Sequence, residues 1–122
     1  MTSTEKAVIA ARAAADKLGT DTVILDVGDV LSIVDHFVIA GAANTRQVRS
    51  IAEEVEYQIK EAGSDGPLRV EGTDDFHWVL LDFGDVVVHV FLEETRAFYE
   101  LERLWADVPR LEWEISADAR SR

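Results

Sequence analysis

The stretch Trp78 to Phe91 constrains the fold of this chain more than any other. Side chains alternate across a strand, so a hairpin has two faces. One face collects Val79, Leu81, Val86, Val88 and Val90, all aliphatic and mostly β-branched. Such a face belongs under a helix. The other collects Trp78, Leu80, Asp82, Val87, His89 and Phe91, a mixture of aromatics, a carboxylate and an imidazole. A two-residue turn at Phe83-Gly84 would pair Asp82 with Asp85 and set Trp78 near His89. It would also place Phe83 where such turns want positive φ, so a bulged turn is the other option. The second face is too apolar for water and too polar for a simple core. It reads as an interface. The competing reading is that the C-terminal segment covers it, for instance through Tyr99 or Trp105.

Other elements follow from periodicity and punctuation. Val8, Ala11, Ala15 and Leu18 fall at helical spacing in residues 4–18, with Ser3 or Thr4 as cap and Gly19 as stop. Thr22–Val27 and Ile33–Ala40 read as strands, with a turn at Gly28-Asp29. Asn44 caps a long helix, and Gln47 three residues on completes a variant capping box. Val48, Ile51, Ala52, Val55 and Ile59 form its apolar stripe, and Gly63 ends it. Leu68–Glu71 is a brief strand, and Glu93–Trp105 reads as a third helix. A strand, a long helix and another strand imply one crossover. The expected fold class is α/β (α+β), with a mixed five-stranded sheet and helices packed mainly on one face. One domain spans 1–115, and the polar end, 116–122, is expected to be a disordered tail.

Charge narrows the partners. The 122 residues carry 24 acids and 12 Lys or Arg, a net charge of -12. This repels phosphate backbones, so no direct DNA binding is expected, and it suits a basic protein partner. Simple solubility would also account for it. The acids concentrate: from Glu71 to Glu102 there are nine, against the single base Arg96. No apolar stretch is long enough to span a membrane, and the polar start is unlike a secretory signal, so a cytoplasmic protein is expected. There are no cysteines, which excludes disulfides and thiolate chemistry.

Chemistry finds little footing. Asp35, Asp74, Asp75, Asp82 and Asp85 could in principle hold a divalent metal, but none has the spacing of a metal loop. His36, His77 and His89 are spread too widely for a ligand set and read as surface or interface residues. Ser32, Ser50 and Ser64 lack a nucleophile-elbow context. Gly41 to Thr45 lacks the lysine and glycine pattern of a phosphate loop and reads as a strand-to-helix turn. No cofactor or metal site is expected, and the chain is read as non-enzymatic.

Three stretches together resemble the ribosomal silencing factor (Iojap) family. The first is Asp35-His36-Phe37-Val38-Ile39 with Gly41, Thr45-Arg46-Gln47-Val48 and Ile51-Ala52. The second is Glu71-Gly72 followed by Trp78 through Phe91. The third is Arg96-Ala97-Phe98-Tyr99-Glu100-Leu101-Glu102 with Leu104-Trp105. Their order and spacing match across residues 5–107. The resemblance implies a fold related to nucleotidyltransferases, binding to large-subunit ribosomal protein fourteen, and a steric block to joining of the small subunit that represses translation under nutrient limitation. The alternative is a metal-dependent nucleotidyltransferase-like enzyme. Against it, Gly41-Ala42 carries no hydroxyl where such enzymes have a Gly-Ser turn, and no Asp-x-Asp pair follows Gly41.

On this reading the mixed face docks the large ribosomal subunit. Trp78, Leu80, His89, Phe91 and Tyr99 are the expected anchors, and Asp82, Asp85 and Glu102 would face basic side chains. A homodimer through the same apolar face is a further expectation.

Overall fold

A computed structural model describes residues 1–114; the expected tail lies outside the described residues. Helix α1 (Ser3–Asp16) leads into β1 (Thr20–Asp26) and β2 (His36–Ala42). Helix α2 (Thr45–Glu61) follows, then β3 (Arg69–Glu71), β4 (Trp78–Asp82) and β5 (Val86–Leu92). Two short helices, α3 (Glu93–Tyr99) and α4 (Leu101–Leu104), precede β6 (Arg110–Leu111). The strands form one mixed sheet in the order β3-β4-β5-β2-β1-β6. It has six strands rather than the five expected, because Arg110 and Leu111 add a short edge beside Leu25 and Ile24. A two-residue strand carries too little alternation to read in advance. The expected crossover is present: β2 and β5 are parallel, joined through α2 and the β3-β4 pair.

Local chemistry explains the helix ends. The Thr2 hydroxyl accepts from the Glu5 amide while the Glu5 carboxylate accepts from the Thr2 amide, so the cap of α1 lies one residue before Ser3. At α2 the Asn44 side chain accepts from the Gln47 amide at 2.8 Å. Gln47 Oε1 instead takes the Ala43 amide, and its Nε2 donates to the carbonyls of Lys17 and Leu18. That residue therefore ties the start of α2 to the end of α1.

Helices α1 and α2 pack on one face. Ala7, Ala10, Ala11 and Ala14 from α1 and Val48, Ile51, Val55 and Ile59 from α2 enclose Val79, Leu81, Val86, Val88 and Val90. The aliphatic hairpin face is thus the one beneath the helices. The hairpin register differs from the expected one. Phe83 donates to the Val86 carbonyl, leaving Gly84-Asp85 as the turn, with Gly84 at φ +91°. Glycine thereby takes the position that strains any other residue. Trp78 consequently pairs with Phe91 and Leu80 with His89. Each pairing has moved by two residues, and because side chains alternate with period two both face assignments survive.

The opposite face carries a second, smaller core. Leu25, Val27, Ile39 and Phe91 are buried there beneath Leu101, Trp105 and Val108, with Leu31 and Val34 closing one side. The third helix is broken rather than continuous: Glu100 adopts a left-handed conformation (φ 48°, ψ 51°) between α3 and α4. The break turns the chain back over the sheet as a strap, residues 100–108. Arg96 anchors it, donating to Glu102 Oε1 at 2.7 Å and to the carbonyls of Thr20 and Asp21 at 3.0 and 2.7 Å. Arg96→Ala would strand the half-buried Glu102 carboxylate and two carbonyls. We expect a stability loss of about 2 kcal/mol, read as a lower urea midpoint; an unchanged midpoint would show that the strap holds without it.

Candidate functional site: an aromatic face with an acidic rim

The aromatic side of the hairpin forms a connected cluster. Trp78 stacks on Phe91, with ring centroids 4.6 Å apart, and leans on Tyr99 at 5.0 Å. Its indole Nε1 donates to His89 Nδ1 at 3.1 Å. His89 stands edge-on to Phe37 at 5.1 Å, and Phe37 edge-on to Trp105 at 5.3 Å. The strands set four of these residues, since Phe37 on β2 and His89, Phe91 and Trp78 on β5 and β4 share one sheet face. Helix α3 brings Tyr99, and the turn at Glu100 brings Trp105.

The expected anchors separate into two layers. Trp78 and Leu80 are half-buried and Tyr99 is 54% exposed, so these three reach the surface. His89 and Phe91, expected as direct anchors, do not. Phe91 is fully buried in the cluster that includes Trp78, Leu101, Trp105 and Val108, and His89, 5% exposed, lies among Phe37, Trp78 and Phe91. The reading in which the C-terminal segment covers this face therefore holds for the β5 side, while the β4 side stays open. The physical reason is burial: an exposed phenyl ring would forgo about 1.5–3 kcal/mol.

The three expected acids also differ in their availability. Glu102 holds Arg96 and is committed within the fold. Asp85 is bonded to Lys6 Nζ at 2.8 Å, at the turn end of the hairpin and away from Trp78. Asp82 accepts from the Gly84 amide and lies 3.6 Å from Arg69. The rim near the aromatic surface is instead supplied by Asp75 and Glu94, which line an open groove of about 470 Å³ together with Trp78, Phe98 and Tyr99. Two other clefts sit at the β1–β6 edge around Thr22, Arg110 and Trp113, apart from this face.

Two surface residues were missed by sequence reasoning. Phe98 is 80% exposed and Leu104 is 79% exposed. Read as one helix, Phe98, Leu101 and Trp105 fall on a single stripe and should bury together. The left-handed Glu100 disrupts that stripe, so Leu101 and Trp105 turn inward while Phe98 stays beside Tyr99, 5.0 Å between centroids. No glycine marks the break, so the sequence carries no signal for it.

The histidines have distinct environments. His77 is exposed, 3.5 Å from Asp75. His36 is buried rather than at the surface, its Nε2 3.1 Å from the Thr4 hydroxyl. Burial pushes His89 down to about 4, well below an ordinary imidazole. Among the described residues, no three His, Asp or Glu converge as metal ligands would, and no helix is long and apolar enough to cross a membrane.

Comparison with known proteins places this geometry. The family model described as "ribosomal silencing factor during starvation" matches residues 1–122. The chain belongs to the ribosomal silencing factor family. It is 43% identical to the ribosomal silencing factor RsfS of Bacillus subtilis (strain 168) over 101 residues, covering 83% of this chain and 85% of that one. Against RsfS of Halalkalibacterium halodurans the identity is 40% over 114 residues, covering 93% and 97%. A crystal structure of a Chromobacterium violaceum protein superposes with a TM-score of 0.83 at 35% identity, covering 96% of each chain. The family match spans the whole chain, so the segments that build the half-covered aromatic face all lie within it.

Proposed function

We propose that this chain docks on the large ribosomal subunit, through large-subunit ribosomal protein fourteen, and sterically blocks joining of the small subunit. Translation is thereby repressed in the cytoplasm when nutrients are short. The observation that carries the reading is the open aromatic surface of Trp78, Leu80, Phe98 and Tyr99 beside Asp75 and Glu94, on a chain of net charge -12. Aromatic anchors ringed by acids match a basic protein surface, because apolar burial supplies affinity and complementary charge supplies encounter rate and orientation. Membership of the family supports the ribosomal partner. The mechanism needs no bond chemistry; a bound domain only has to occupy space that the small subunit requires. The acids invoked by the enzymatic alternative are in part already engaged: Asp82 by Gly84 and Arg69, Asp85 by Lys6, and Asp75 by the His77 amide.

Adding the protein to separated subunits should lower the fraction of joined ribosomes in a sedimentation assay. Joining that is unaffected at saturating protein would refute the steric block. Trp78→Ala or Tyr99→Ala should each weaken binding by about 2 kcal/mol, roughly thirtyfold in Kd. Wild-type affinity in both variants would remove this face from consideration.

A further inference from the structure

We propose that His89 is a positioning residue for docking, holding the Trp78 indole in the orientation that presents it to the partner. The proposal rests on the docking reading above and assigns a role to a residue that does not itself reach the surface.

The hydrogen bond sets the protonation of the imidazole. An indole N–H can only donate, so the 3.1 Å contact from Trp78 Nε1 requires His89 Nδ1 to be an unprotonated acceptor. The single proton of the neutral ring then sits on Nε2. That atom is buried and has no hydrogen-bond partner among the described residues. The ring centroid nearest the imidazole is that of Phe37, met edge-on, which offers at most a weak contact.

The buried Nε2–H is therefore a cost of having a histidine here, and only the bond to Trp78 offsets it. The ring lies among Phe37, Phe91 and Trp78, and the neighbouring positions on the same face are Val87, Ile39 and Phe91. An aliphatic side chain would suit these surroundings and would remove the orphaned Nε2–H, but it would take the acceptor from Trp78 Nε1. The imidazole is retained at a cost, and its one conventional bond goes to an anchor of the proposed docking surface. Phe91 supports the indole by stacking beneath it, and Tyr99 leans against it; neither constrains rotation within the ring plane. The directional bond to Nδ1 does. A side chain held in one rotamer before docking loses less entropy when it docks.

The experiment is a double-mutant cycle on the full chain, with isolated large subunits as the binding probe. His89→Leu should weaken binding by about fivefold, with a Tm at neutral pH close to wild type because the lost bond and the removed Nε2–H oppose each other. His89→Asn, whose Oδ1 can take the place of Nδ1, should restore most of the affinity. In a Trp78→Phe background, which keeps a stacking ring but has no N–H, His89→Leu should cost nothing further. The Trp78 indole N–H resonance, assigned through Trp78→Phe, should move in His89→Leu and stay near its wild-type position in His89→Asn. Binding by His89→Leu as tight as wild type overturns the positioning role alone. So does an equal loss in the Trp78→Phe background, since that assigns the effect to general packing. A wild-type chain that fails to bind large subunits overturns the docking reading, and this proposal with it.

Discussion

Gly72→Ala should destabilise the protein by about 3 kcal/mol. Gly72 has φ +89°, a conformation in which a Cβ costs on the order of 1–2 kcal/mol. That Cβ would also overlap the Trp78 carbonyl oxygen and stand 2.9 Å from the Trp78 carbonyl carbon. Backbone cannot yield as a flexible side chain does, so the 72–78 loop or β4 must shift, at a further cost of about 1–3 kcal/mol. With an m-value of about 1.5 kcal/mol/M for a chain of this size, the urea midpoint should fall by about 2 M. The displaced carbonyl belongs to the residue that anchors the proposed docking surface, so ribosome binding should weaken as well. A midpoint within experimental error of wild type would mean that the loop relaxes freely.

The second large effect is an acid-side loss of stability through His89. Burial lowers its folded pKa to about 4, whereas the unfolded chain has the ordinary value of 6.5. Between these values the unfolded state binds a proton that the folded state refuses, so stability falls as pH drops from 6.5 towards 4. The slope approaches about 1.4 kcal/mol per pH unit, and the loss over the window is on the order of 3 kcal/mol. Above pH 6.5 both states carry a neutral ring and the contribution vanishes. His89→Leu should flatten this part of the profile, making the variant more stable than wild type at pH 5. Parallel profiles for the two proteins in urea titrations from pH 7 to 4 would rule out His89 as the source. In the folded state that protonation comes only around pH 4, where it removes the acceptor for Trp78 Nε1, so the Trp78 indole resonance should shift there rather than across the whole window.

Much of the site could be read in advance because a strand reports its faces through a period of two. Val79, Leu81, Val86, Val88 and Val90 were assigned to the helix side, and Trp78, Leu80, His89 and Phe91 to the other, even though the expected pairing was displaced by two residues. An even displacement cannot exchange faces. The stripe Val48, Ile51, Ala52, Val55 and Ile59 was equally plain, since a long amphipathic helix repeats its signal over several turns. Exposure was not plain. Phe91 and Tyr99 look alike as candidate anchors, yet one is sealed and the other half-open. The difference comes from the turn at Glu100, which no glycine announces, and from Arg96 gripping carbonyls more than seventy positions away in sequence.

Alternation and helical spacing are local properties, carried by neighbouring residues, and they were enough to define the elements, the two hairpin faces and the acidic, aromatic character of the second. Whether an aromatic ring on that face meets solvent depends on where a distant segment lies across it. That depends on long-range contacts: the Arg96–Glu102 pair, the sixth strand beside β1, and Leu101, Trp105 and Val108 pressed against Leu25, Ile39 and Phe91. Such contacts are chosen by the free energy of the whole packed chain, so periodicity can nominate residues for the proposed docking surface while packing selects which of them stay exposed.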